Sequence, residues 1–84
     1  MNNIVYTVHG LRRIEERKIS RKTVENALAN PDKKIQHQSI TKAIKRINNK
    51  VIVVVYKMAE NKPTVITAFI SSKTEKYLAG EPMV

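Results

Sequence analysis

Six consecutive apolar residues, Val51-Ile52-Val53-Val54-Val55-Tyr56, constrain this chain more than any other feature. A strand with one wet face alternates apolar and polar side chains, and this run does not. It predicts a strand covered on both faces or paired at a partner interface. Thr64 to Ile70 predicts a second strong strand, with Glu60-Asn61-Lys62-Pro63 as the turn between them. The chain has 84 residues, 42% of them hydrophobic, which allows one small core. Residues 1–84 therefore read as a single domain, with a loose end over about 79–84 where Gly80 and Pro82 stand.

The N-terminal half has a different texture. Ile4-Val5-Tyr6-Thr7-Val8 predicts a short first strand, and Thr7 suits the N-cap of a helix over His9 to Lys18. In that helix Leu11 and Ile14 form a thin apolar stripe. Ser20 caps a second helix, where Val24, Ala27 and Leu28 recur at i, i+3 and i+4 before Asn30-Pro31 stops it. Lys33 to Gln38 reads as a polar strand. Ser39 to Asn48 fits helical spacing through Ile40, Ala43, Ile44 and Ile47, but Asn48-Asn49-Lys50 is a turn signal before a strand, so strand is the reading taken. The expected fold class is α+β: a short N-terminal strand, a two-helix hairpin, then a four-stranded antiparallel meander with the helices on one sheet face.

Charge bears on partners. Sixteen Lys and Arg against seven Asp and Glu give +9, which favours an anionic partner, either nucleic acid or an acidic protein. Four aromatic residues, Tyr6, Tyr56, Phe69 and Tyr77, do not assemble into a base-stacking platform, so contact with the phosphate backbone is the better expectation. No apolar stretch approaches the roughly 20 residues of a bilayer span, and the start MNNIVYTVHG lacks the layout of a signal peptide. A cytoplasmic protein with no membrane partner is expected. With no cysteine, two distant histidines (His9 and His37) and only Gly10 and Gly80 as glycines, neither a metal site nor a cofactor is expected.

Three groups of residues are candidates for chemistry. His9, Arg13 and Arg17 recur every four residues and would stack along one helix face, an arrangement suited to holding phosphate and moving a proton. The alternative is structural: a histidine at a helix start and arginines in ion pairs, Arg12 having Glu15 and Glu16 within reach. Lys73, Lys76 and Tyr77 follow the last strand and could supply a cation and a hydroxyl, or form a solvated tail with Tyr77 on the core. Lys42, Lys45 and Arg46 lie in a stretch also rich in Lys33, Lys34 and Lys50; as a strand, it puts Lys42 and Arg46 on one face and Lys45 on the other. Such a run either contacts phosphate or guards an edge strand.

The string Tyr6-Thr7-Val8-His9-Gly10, with Arg13, Arg17, Ile19-Ser20, Val24 and Asn30-Pro31, resembles a family of small bacterial and archaeal proteins of unassigned function. Their pattern runs T-x-H-A-x-x-R-x-x-x-R-x-I-S-x-x-x-V. Val51 to Val55, Thr64 to Thr67 and Ser72-Lys73 through Lys76-Tyr77 extend the resemblance over residues 4 to 78. The chain departs from it at Gly10, where alanine is usual, and at Lys18, where glycine is usual and a left-handed turn would be easier. The family is similar in fold to the RelE/ParE toxins and to BrnT. The resemblance implies a toxin-like component of a toxin–antitoxin pair, with RNA or the ribosome and a cognate antitoxin as partners. RelE-type members cut mRNA without a metal; ParE-type members act on DNA gyrase. The nuclease residues of RelE toxins lie on the sheet and C-terminus, so only Lys76 and Tyr77 fall in a comparable region.

Two functions follow. In a metal-independent endoribonuclease, a substrate 2′-hydroxyl would attack the adjacent phosphate, His9 or Tyr77 would handle protons, and Arg13, Arg17 and Lys76 would hold the phosphoryl charge. In a non-catalytic module, Lys42, Lys45, Arg46 and Lys73 would bind nucleic acid, or the basic surface an acidic protein. Both need the same positive charge, so composition does not separate them, and the oligomeric state is open.

Overall fold

The computed structural model describes residues 3–79. Its elements are β1 (Val5–Tyr6), α1 (Val8–Glu16), α2 (Arg21–Ala29), β2 (Lys33–His37), β3 (Ile40–Ile47), β4 (Lys50–Ala59), β5 (Lys62–Ser71) and a C-terminal helical turn, Glu75–Ala79. Of the expected loose end, the chain beyond Ala79 lies outside the described residues; Ala79 itself ends the helical turn. Most of the ambiguous Ser39–Asn48 segment is strand, and it contains the whole of β3. Its register with β4, Ala43 opposite Val54 and Lys45 opposite Ile52, puts small and long side chains where a strand can use them.

The sheet has five strands in the order β1-β5-β4-β3-β2. The expected four-stranded antiparallel meander is β2 to β5, and the sheet gains a fifth strand because the short first strand joins it. β1 joins the sheet parallel to β5, with Val5 opposite Thr64 and Tyr6 opposite Val65. It is shorter than the expected Ile4–Val8 because Thr7 turns the chain into α1. The Thr7 amide donates to Val65 O at 3.0 Å, its hydroxyl reaches the same oxygen at 3.2 Å, and its Oγ1 accepts from the Gly10 amide at 2.8 Å.

α1 ends at Glu16, with Arg17 as its C-cap, rather than at Lys18. Lys18 takes φ 57, the left-handed conformation usually given to glycine, while Ile19 N–H donates to Ile14 O at 2.9 Å and Lys18 N–H to Glu15 O at 3.2 Å. These two bonds make a Schellman cap, and its apolar pair, Ile14 and Ile19, is buried. Ser20 then caps α2, accepting from the Thr23 amide at 3.1 Å. The three hairpin loops also use left-handed residues: Gln38, Asn48, and Glu60 with Asn61.

β4 is covered on both faces, as its unbroken apolar run requires. On the helix face Ile52, Val54 and Tyr56 join Ala43, Val65 and Ala68 under Ile14, Ile19, Val24 and Ala27. On the second face Val51, Val53 and Ile44 pack with Val55, Phe69, Tyr77 and Leu78. The C-terminal turn thus covers part of a face that the helices leave alone. A one-residue bulge lets β5 serve both cores: Val55 stands opposite Thr67 and Tyr56 opposite Val65, leaving Ile66 as the extra residue. Val65 and Ala68 therefore share the helix face although strict alternation would separate them.

Candidate nucleic-acid interface

The structure divides the candidate residues between two places. α1 packs on the helix face and the C-terminal turn on the second face, so His9, Arg13 and Arg17 do not meet Lys76 and Tyr77 across one site. On α1 the helical stripe is itself split. Arg17 turns back to the sheet, its Nη1 donating to Ala68 O at 2.8 Å with Thr67 Oγ1 at 3.4 Å. Its guanidinium thereby satisfies a carbonyl of β5 beyond the two residues that β1 pairs. Arg13 stays exposed and pairs with Glu16 at 3.1 Å, the i,i+3 partner where the spacing had suggested Arg12. His9 is exposed and has no polar partner among the described residues.

The remaining positions of the N-terminal motif also have work in the fold. Thr7 and Ser20 are caps, and Ile19 and Val24 are buried. Gly10 lies where α1 rests on the bulge: a Cβ there would collide with Val65 O and stand 3.2 Å from Ile66 O. His9 and Arg13 face water, as do Val8 and Asn30 of the same motif.

The second face gathers the other candidates. Lys42 and Arg46 flank buried Ile44 on β3, both exposed and both on this face, as alternation requires. Opposite them in register stand Val55 and Val51 of β4. The C-terminal turn lies over the β4–β5 side, where Tyr77 meets Phe69 edge-to-face at 6.0 Å between centroids. Lys76 Nζ sits 5.4 Å from the centre of the Tyr77 ring. Lys73 precedes that turn, its amide donating to Ser71 Oγ at 3.0 Å, and Ser72 through Lys76 line an open depression of about 410 Å³. Lys42 and Arg46 of β3 therefore border an apolar floor that Tyr77 and Leu78 of the C-terminal turn cover in part.

Lys45 belongs elsewhere. It is half-buried on the helix face and its Nζ donates to Asn30 O at 3.1 Å, a cation on the last carbonyl of α2. Arg46 has its backbone N–H bonded to Asp32 Oδ2 at 2.7 Å, which leaves the guanidinium outside.

Sequence reasoning missed the other residues of the second face. Register places Ile35 beside Lys42 and His37 beside Ile40, so β2 extends the surface with an exposed apolar residue and an imidazole. A strand's alternation could have told which of these share a face, but only register tells what lies beside them. A second cleft, about 220 Å³, opens on the helix face between Leu28, Lys34, Tyr56, Met58, Asn61 and Pro63. Tyr6 is a further unassigned group. Its ring lies 5.4 Å under the Arg21 guanidinium, and its buried hydroxyl finds no partner among the described residues. Burial, and then Glu25, push its ionisation above the ordinary 10.0, with Arg21 opposing.

Among the described residues no helix is long and apolar enough to cross a membrane. In comparisons with known proteins, the family described as Domain of unknown function (DUF4258) matches residues 6–70. No curated protein and no solved structure matches.

Proposed function

The chain belongs to the DUF4258 family, and from that premise we propose that it is a toxin-like, RNA-binding protein whose binding surface is the second face of the sheet. One observation carries this reading: Lys42 and Arg46 are exposed on the face that the C-terminal turn borders with Tyr77 and Leu78. A surplus of nine positive charges on so small a body favours a polyanion, and single-stranded RNA can follow a strand face by its phosphates. The toxin-like class rests on resemblance. A short strand, two helices and an antiparallel sheet are the element order of RelE/ParE toxins and BrnT, and fold likeness by itself assigns no activity.

A second reading, metal-independent RNA cleavage, has its own support. His9 and Arg13 sit one turn apart on the water-facing side of α1, in a motif where Thr7, Gly10, Arg17, Ile19, Ser20 and Val24 are used by the fold. There an imidazole and a guanidinium could handle a proton and a phosphate. Arg17 has no part in that site, being held by Ala68 O.

Two assays test both readings. Binding of labelled single-stranded RNA is measured across a salt series for wild type, Lys42→Ala and Arg46→Ala. Each variant should weaken binding and reduce the salt slope by about 1, while the fold survives. Salt-independent binding, or full binding by the double variant, would refute the second face. In parallel, wild type, His9→Ala and Arg13→Ala are expressed in a bacterial host and mRNA ends are mapped. New 5′ ends and growth arrest that the variants lack would establish cleavage; intact mRNA from folded protein would leave binding as the function.

A further inference from the structure

We propose that the outer edge of β2 is a docking site for an extended, acidic segment of a partner protein, which adds to the sheet as a further strand. β2 ends the strand order on its side, with β3 as its neighbour. Residues 38 and 39 form the loop between them, and so short a loop closes on a hydrogen-bonded pair, here His37 and Ile40. Alternation then directs the backbone of Ile35 toward β3. The N–H and C=O groups of Lys34 and Gln36 point away from the sheet. Those outward groups are what strand addition uses.

The side chains along the edge say what kind of strand fits. Lys34 and Gln36 project on the helix face, Ile35 and His37 on the second face, and Lys42 stands beside Ile35. Ile35 is 40% exposed, a large apolar residue on a strand otherwise open to water. An incoming segment would meet a cation on one face, and an apolar contact bordered by a cation on the other. A second copy of this chain suits the edge poorly. Pairing β2 with β2 about Ile35 sets Lys33 opposite His37, between bodies that each carry +9. Lysines on an edge deter self-pairing for this reason. An acidic segment turns the same charges into attraction, and that complementarity selects it. The proposal shares Lys42 with the RNA surface but is carried by the outward backbone groups of Lys34 and Gln36, which RNA binding does not use.

The test titrates the full chain with a synthetic peptide alternating Glu and Val, beside the same peptide with Lys in place of Glu. Affinity is read by fluorescence anisotropy and the edge by amide hydrogen exchange. The Glu peptide should bind and slow exchange at Lys34 and Gln36, with the Lys peptide weaker by at least about tenfold. Gln36→Pro removes one outward donor at a position where an edge strand tolerates proline. It should weaken the Glu peptide by about tenfold, roughly the worth of one lost hydrogen bond, with circular dichroism and RNA binding unchanged. Lys34→Glu, which spares the backbone, should weaken the peptide as well and covers the case of a misfolded proline variant. Equal binding of the two peptides, undiminished binding by Lys34→Glu or by folded Gln36→Pro, or protection appearing away from Lys34 and Gln36 would overturn the proposal. RNA binding, measured on the same samples, reports separately on the second face.

Discussion

One sheet presents two faces built by different means. The helix face is closed by α1 and α2, which bring Ile14, Ile19, Val24 and Ala27 down onto six buried side chains of the sheet. The second face has a smaller buried group, Ile44, Val51 and Val53, and borrows its cover from Tyr77 and Leu78 at the end of the chain. The first is anchored by hydrogen bonds between distant parts of the chain, Thr7 to Val65 and Arg17 to Ala68. The second is bordered by exposed cations. The reading proposed above would put recognition on the side opposite the larger core, and the contrast teaches why a conspicuous motif need not mark a site. Most of the N-terminal motif holds the helix face together, whereas the polyanion surface proposed above depends on Lys42 and Arg46, which lie outside it.

The contrast can be broken most directly in the two cores. Ile14→Ala removes a fully buried side chain from the helix face and should cost about 3 kcal/mol in denaturant unfolding. Tyr77→Ala, which uncovers part of the second face, should cost about 1 kcal/mol, since that ring is only half-buried. Equal losses would mean that the C-terminal turn is as structural as the helices. Gly10→Ala tests the close approach of α1 to the β5 bulge. Relief of glycine's helix penalty favours alanine by about 1 kcal/mol, but the new Cβ meets Val65 O, so a net loss of about 1 kcal/mol is expected. A stabilised variant would show that α1 can lift from the sheet.

Lys18→Gly sharpens the same comparison with a smaller gain. At φ 57 glycine has no steric penalty, and thermal unfolding should rise by the equivalent of about 0.5–1 kcal/mol. The smallest effect belongs to Tyr6→Phe, expected to change stability by less than about 0.5 kcal/mol at neutral pH. Its signature is alkaline. Burial raises the Tyr6 ionisation above 10.0, so the unfolded chain ionises first. That contribution is complete below about pH 10 and lost as pH rises through the folded value. Tyr6→Phe should therefore show a shallower alkaline loss than wild type in denaturant titrations; an identical slope would remove Tyr6 from the balance.

Local rules carried much of the fold. Thr7 and Ser20 were legible as caps because their side chains satisfy amides three residues away, a matter of short-range geometry. The β4 run announced two covered faces because no alternation was present to leave one wet. Asn48-Asn49 decided between helix and strand for β3, and Asn48 does take the left-handed conformation. The candidate site was legible only in pieces. Spacing put Lys42 and Arg46 on a common face, but it also stacked Arg17 with His9 and Arg13, since helical spacing says nothing of a carbonyl on a strand 51 residues away.

By itself, then, the sequence determined the types of β1 to β5, α1 and α2, the caps, the doubly covered strand and the positive surplus, because each depends on neighbours in the chain or on simple counting. Tertiary structure alone decided that β1 enters the sheet beside β5, that Ile66 bulges so Val65 and Ala68 share a face, and that Tyr77, which the sequence offered to the core, covers the face opposite the helices. It also decided that Arg17 and Lys45 serve carbonyls while Lys42 and Arg46 remain outside. Those outcomes depend on register and on contacts between distant segments, which a periodicity repeated every two or four residues cannot encode.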